Sequence, residues 1–245
     1  MKLSEQEKAA HRAAFRNMGL AQKADHIFTY YKWRILLGLA ALIILGSAIT
    51  RQLTQKETLV SLALVNVSVG VSLEADLTDG FLRHAGADVR RNEVYLYKDL
   101  YLSDDADILN HEYAYASRMK MMGAVSAAKL DLVLMNREAY DLLSRSGYLL
   151  ELSEDLFADA PGTWESFAPF LQSNDVILSD NSIEYQLGEA DQQIVDVKTA
   201  VNAIDVTDLP LFAKAGFPES VYLGVIANTS RLPGCLRYIG FLLTD

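Results

Sequence analysis

The most uniform stretch of the hydrophobic pattern runs from Ile35 to Thr50, ILLGLAALIILGSAIT, 16 residues without a charge between Arg34 and Arg51. As a helix it would span roughly 24 Å against a hydrocarbon core of roughly 30 Å, so its flanks decide the reading. Arg34 and Arg51 carry methylene stems that can lie along lipid, and Tyr30, Tyr31 and Trp33 supply rings suited to the interface. The pattern therefore predicts one transmembrane helix over residues 35–51. A buried core helix is the competing assignment, but such a helix rarely lacks a polar stripe. A cleaved signal peptide is another, since Gly46-Ser47-Ala48 loosely resembles a cleavage site, but 34 residues precede the run. An uncleaved signal anchor is the expectation.

Before the anchor, Ser4 and Glu7 stand at capping-box spacing and Gly19 is placed to end a first helix. Leu20, Ala24, Ile27, Phe28 and Tyr31 then recur at helical spacing. Residues 1–34 read as an amphipathic arm, either a lipid-seated collar or a docking helix for a membrane partner. A polar linker over 52–57 separates the anchor from a body at 58–245.

Within that body, Leu59–Val65, Asp131–Met135 and Val221–Ala227 are nearly unbroken apolar runs, and Asn92–Tyr97 is a further strand pattern. Between them the spacing predicts a helix from Leu73 to Ala85, capped by Ser72 and stopped at Gly86. Another runs from Asn110 to Lys129, with Tyr115, Met119, Met122 and Val125 on its apolar face. A third, Arg137–Ser146, closes at Gly147. Alternating strands and helices predict an α/β domain with a parallel sheet covered on both faces. Further on, Asp175–Leu178 and Ile183–Leu187 flank Asp180-Asn181 as a hairpin. A short helix spans Leu209–Ala215, and Pro233 opens a closing helix to Leu243.

Charge fixes an orientation for this plan. Acidic residues outnumber basic ones 32 to 22, for a net charge of −10, which excludes the basic footprint of nucleic-acid binding. Residues 1–34 nevertheless hold seven basic against three acidic residues, so the arm is expected in the cytoplasm and the body outside. The single cysteine, Cys235, rules out a disulfide framework and multi-cysteine metal sites.

Catalytic signatures are absent: there is no nucleophile elbow, no Walker loop and no dinucleotide fingerprint. His111-Glu112 begins like a zincin helix, but Tyr115 stands where the second histidine belongs. The acids at 104, 105 and 107 lack the third ligand of a calcium loop and read as a solvated turn. Cys235 reads as a small packed thiol in the first turn of the last helix. No metal and no cofactor is expected. Three asparagines are more suggestive. Asn66, Asn136 and Asn228 each follow an apolar strand, and the carboxyl ends of parallel strands share one ligand-binding edge. With Ser68, Arg137, Tyr140 and Thr229 they form a candidate ligand site, although asparagine serves equally as a helix cap. Arg137 is the only cation in this set, so an anionic or zwitterionic small molecule is preferred. Tyr95, Tyr97, Tyr101 and Tyr113 form a candidate interaction surface or part of an ordinary core.

The stretch Lys129-Leu130-Asp131-Leu132-Val133-Leu134-Met135-Asn136, with Tyr140, Gly147 and Leu149-Leu150-Glu151-Leu152, resembles type 2 periplasmic (extracellular solute) binding proteins. The closing segment Val221–Thr229, followed by a helix carrying Leu236, Ile239 and Phe241, is similar to the late return strand and helix of that family. The resemblance implies a bacterial solute-binding-protein-like domain outside the cell membrane. Only about 70 residues, Leu152–Ser220, are available for a second lobe, which is therefore expected to be reduced. The leading expectation is a noncatalytic module for ligand capture or sensing. The competing one is a structural subunit of a membrane complex that keeps the fold without a ligand.

Overall fold

The computed structural model describes residues 19, 32–34, 36–47, 56–104, 111–158 and 161–243. It divides into two units, Met1–Gln55 and Lys56–Asp245. In the first, residues 32–34 and 36–47 are helical and exposed throughout. Among the described residues no helix is long and apolar enough to cross a membrane. Ile35 and residues 48–50, the ends of the uncharged run, lie outside the described residues, as does the flanking Arg51. So do the helices read into residues 4–31 and the acidic positions Asp105 and Asp107.

The second unit is α/β. Strand β1 (Glu57–Val65) leads into α1 (Val71–Ala75), which continues through a π-helical turn (Asp76–Gly80) into α2 (Phe81–His84). There follow β2 (Asn92–Leu100), α3 (His111–Ser126), β3 (Leu132–Met135) and α4 (Arg137–Arg145). The remainder comprises α5 (Pro161–Phe167), β4 (Leu171–Asp180), α6 (Ser182–Gln186), β5 (Val195–Asp205), α7 (Pro210–Ala213), β6 (Tyr222–Val225) and α8 (Leu232–Leu242). The six strands form one sheet in the order β2-β1-β3-β6-β5-β4.

Period-two alternation in β1 builds two cores. Val60, Leu62 and Leu64 pack on one face with Leu77 and Phe81 of the first helical run and Tyr238 and Ile239 of α8. Ala63 and Val65 pack on the other with Met121 and Val125 of α3 and Tyr140 and Leu143 of α4. Burial on both faces is why these strands carry almost no polar side chains. Gly86 and Gly147 adopt φ of +67° and +69°, the left-handed geometry that ends the helices before them.

Several expectations are corrected. Leu62, Leu64, Val133, Leu134, Val225 and Ile226 are all buried, as expected of one sheet. The sheet is mixed, however: β1 runs parallel to β2 and β3, while β6 is antiparallel to β3. The connection from β5, residues 206–221, holds only the four-residue α7, and it returns the chain antiparallel to β5 as well as to β3. A separate reduced second lobe is not formed among the described residues, because β4 and β5 extend the same sheet beyond β6. The partner of β4 is β5, and Ile183–Leu187 falls in the connection around α6. There the Asp180 carboxylate accepts from the Ser182 N–H, and the Asn181 side chain binds the backbone of Ile194 and Gln192, so the turn residues open a longer loop.

Ser72 does not cap the first helical run. Gly70 occupies the N-cap and no side chain bonds there. On α3 the buried residues are Ser117, Met121, Ala124 and Val125, while Tyr115, Met119 and Met122 face solvent. The buried face carries the small Ser117 and Ala124 beside Met121 and Val125, and it packs inward in place of the larger apolar stripe.

Candidate functional site

The chain leaves β1 toward the face covered by α1 and α2, and leaves β3 toward the face covered by α4. Adjacent parallel strands whose connections part in this way open a crevice at their carboxyl ends. A cleft of about 890 Å³ lies there. Asn66, Ser68 and Asn136 line it, together with Tyr101, Tyr113 and the loop Phe217–Val221.

The polar residues of this edge shape the cleft first. Asn66 sits at φ 57°, and its side chain makes two bonds to the backbone of Leu102, donating to the carbonyl at 2.7 Å and accepting from the N–H at 2.8 Å. The chain beyond β2 is thereby clamped to the end of β1. Asn136 is the N-cap of α4, and its side-chain oxygen accepts from the Ala139 N–H at 3.1 Å. Asp99 adopts φ 59°, and its carbonyl accepts from the Tyr113 hydroxyl at 2.5 Å. Two of the left-handed non-glycine residues, Asn66 and Asp99, therefore line the cleft.

The other candidates lie elsewhere. Because β6 is antiparallel, Asn228 and Thr229 emerge at the opposite edge, where Asn228 donates to the Val125 carbonyl at 2.7 Å and Thr229 to Asp131 at 2.6 Å. Arg137 does not line the cleft. It pairs with Asp141 at 3.0 Å, one helical turn on, and its guanidinium lies 5.4 Å and 5.9 Å from the ring centres of Tyr140 and Tyr222. The cation behind the expected anionic ligand is thus placed outside the crevice. Among the tyrosines, Tyr101 and Tyr113 join the cleft, whereas Tyr95 and Tyr97 pack edge to face at 4.8 Å on the edge strand β2.

Tyr140 is 0% exposed, and its hydroxyl donates to the side-chain oxygen Oδ1 of Asn202 at 2.8 Å. Asn202 in turn donates to Ser144 at 2.8 Å, and Ser144 to the Asp175 carbonyl at 2.9 Å. This buried chain pins α4 to β5 and β4, and burial pushes the Tyr140 hydroxyl well above the ordinary range. Tyr140→Phe should cost about 1–3 kcal/mol in urea denaturation, because the Asn202 oxygen loses its donor in a dry environment. A change below about 0.5 kcal/mol would mean that the network relaxes around the loss.

Sequence reasoning missed the ion pair on the opposite edge. The Asp131 carboxylate, fully buried, accepts from Arg231 at 2.9 Å and from the Ser61 N–H at 2.7 Å. A lone acid opening a wholly apolar strand was its only local signal. Beside the pair, burial pushes the Cys235 thiol up to about 12, with the Asp131 charge adding to the effect, so the thiol stays protonated near neutrality. Among the described residues no cluster of histidine, cysteine, aspartate or glutamate could hold a metal ion. No protein-family model matches the chain, and no curated protein matches it.

Proposed function

We propose that the protein is a membrane-tethered, noncatalytic module that captures or senses a small molecule outside the cell. The observation that carries this reading is the cleft at the carboxyl edge of β1 and β3, whose volume of about 890 Å³ falls in the range of small-molecule sites. The resemblance to type 2 periplasmic binding proteins agrees with it, since β6 and α8, drawn from the closing segment, return to the middle of the sheet and cover it. Support for the tether comes from residues 36–47, helical, apolar on every side and exposed on every side, a pattern that suits lipid better than water. The basic arm at 1–34 would then stay in the cytoplasm.

The experiment uses the full chain. It should remain with membranes through an alkaline carbonate wash. After extraction into a neutral detergent, its melting temperature should rise with at least one member of a broad metabolite panel. A ligand at about one hundred times its Kd stabilises the native state by about 2.7 kcal/mol. A second reading, a ligand-free subunit of a membrane complex, is favoured by the exposed apolar groups Tyr115, Met119 and Met122 on α3 and Leu178, Ile183 and Leu187 around α6. A panel in which nothing shifts the melting temperature would replace the first reading by the second.

A further inference from the structure

We infer that the exposed face of α3 is a homodimer interface, on which two copies of this chain pack antiparallel about a twofold axis at Met119. This contact needs no ligand in the cleft. The helix buries Ser117, Met121, Ala124 and Val125 against its own sheet. Its opposite stripe leaves Tyr115 68% exposed, Met119 52% and Met122 39%, and steps of four and then three residues keep all three on one face. Ala116, Gly123 and Ser126 stand beside them, also exposed. Gly123 has no role inside its own chain. It lies within a helix, where glycine costs stability because it gives up the most backbone freedom. Its φ is not in the left-handed region, and a Cβ built on it would meet no atom within 4 Å among the described residues. A close approach from outside the chain accounts for it.

The order of large and small residues identifies that neighbour as a second copy. Tyr115 and Gly123 stand four residues to either side of Met119, and Ala116 and Met122 stand three to either side. A twofold axis between antiparallel helices exchanges the two sides, so Tyr115 of each copy meets Gly123 of the other, and Met122 meets Ala116. Each large side chain then enters the space that a small one leaves, as helices pack ridge into groove. A parallel pair would set Tyr115 against Tyr115 and leave the two Gly123 hollows facing each other. Charge agrees with the antiparallel arrangement. Glu112 and Lys129 take part in no ion pair among the described residues, and pairing the copies brings the end of α3 that carries Glu112 toward the end that Lys129 follows. Arg118, next to the axis, is already neutralised by Asp104 at 2.7 Å.

Sedimentation equilibrium of the full chain in neutral detergent should show a reversible monomer–dimer equilibrium. Gly123→Leu should raise the dimer dissociation constant by about tenfold or more. The melting temperature of the monomer should stay level or rise, since the hollow is open on the chain's own side and leucine suits a helix better than glycine. Gly123→Ala serves if the leucine variant fails to fold, with a smaller weakening in the same direction. Met119→Cys sets one thiol from each copy across the axis, and the native Cys235 is buried, so mild oxidation should cross-link this variant into a dimer. Val71→Cys is the control: Val71 is 86% exposed on α1, which covers the other face of the sheet, and it should not cross-link. Equal cross-linking at the two positions would mark random collision and overturn the interface. A dimer that the Gly123 variants leave intact would place the contact elsewhere and overturn it, as would a chain that stays monomeric at every concentration.

Discussion

Replacing Asp131 by alanine should destabilise the Lys56–Asp245 unit by about 3–5 kcal/mol, the cost of breaking a buried ion pair from one side. Asp131 is 0% exposed, and three residues from two chain segments, Ser61 of β1 with Thr229 and Arg231 of the loop before α8, converge on its two oxygens. One oxygen accepts from the Ser61 N–H of β1 and from Arg231, and the other accepts from the Thr229 hydroxyl at 2.6 Å. Arg231 also donates to the Ser61 hydroxyl at 3.0 Å, with only 30% of its side chain exposed. Alanine would leave a partly buried guanidinium and a buried N–H without their acceptor. Asparagine should cost less, because it keeps one oxygen, yet it puts an NH2 group where a second acceptor is needed. Removing both charges, as Asp131→Leu with Arg231→Met, should cost less than the alanine change alone, since no unpaired ion remains. Urea denaturation followed by Trp164 fluorescence measures all three variants. A loss for Asp131→Ala below about 1 kcal/mol, the scale of an exposed pair, would defeat this account.

The reason this pair escaped sequence reading is its span. Asp131 and Arg231 stand a hundred residues apart, and no periodicity links them. What could be read were features with a local cause. Leu59–Val65, Asp131–Met135 and Val221–Ala227 read as buried strands because no run of polar residues interrupts them. Their direction was not legible, since a strand covered on both faces has the same composition whichever way it runs. Direction is set by the pairing in the folded sheet, where β6 runs antiparallel to both β3 and β5. The site inherited that ambiguity: Asn66 and Asn136 follow parallel strands and share the cleft, whereas Asn228 followed β6 to the far edge. Arg137 was a different case. Asp141 stands four residues on, the spacing at which a helix pairs opposite charges, so its withdrawal from the cleft was present in the sequence. The face of α3 was harder, because Met119, Met121 and Met122 offer two overlapping helical stripes and the choice between them rests on Ser117 and Ala124 fitting the sheet. Glu219 and Phe217 lie in a loop with no periodic signal, and only the folded chain brings them to the cleft that Asp99 also lines.

Leu134→Ala should cost about 2–5 kcal/mol, toward the upper part of that range. Leu134 is 0% exposed in β3, flanked by Leu64 on β1 and by Leu223 on β6. Its side chain belongs to the core beneath the first helical run and α8. Truncation removes the transfer free energy of the lost carbons and leaves a cavity. How far the cavity closes sets the size of the loss. Here the backbone is held by strands on both sides, so collapse must come from the helical layer, where Phe81 and Tyr238 are already engaged with each other at 4.7 Å. Large rings in mutual contact cannot shift without giving up that contact, and most of the cavity should persist. Ile177→Ala is the comparison, on the outer ribbon of β4, where the side chain is 37% exposed and its cross-strand partner Val197 is exposed as well. Its cost should stay near or below about 1 kcal/mol. Urea denaturation midpoints, with the slope unchanged between variants, would measure both. Equal losses at the two positions, or a loss at Leu134 below about 1 kcal/mol, would mean that β3 does not carry the core on this face.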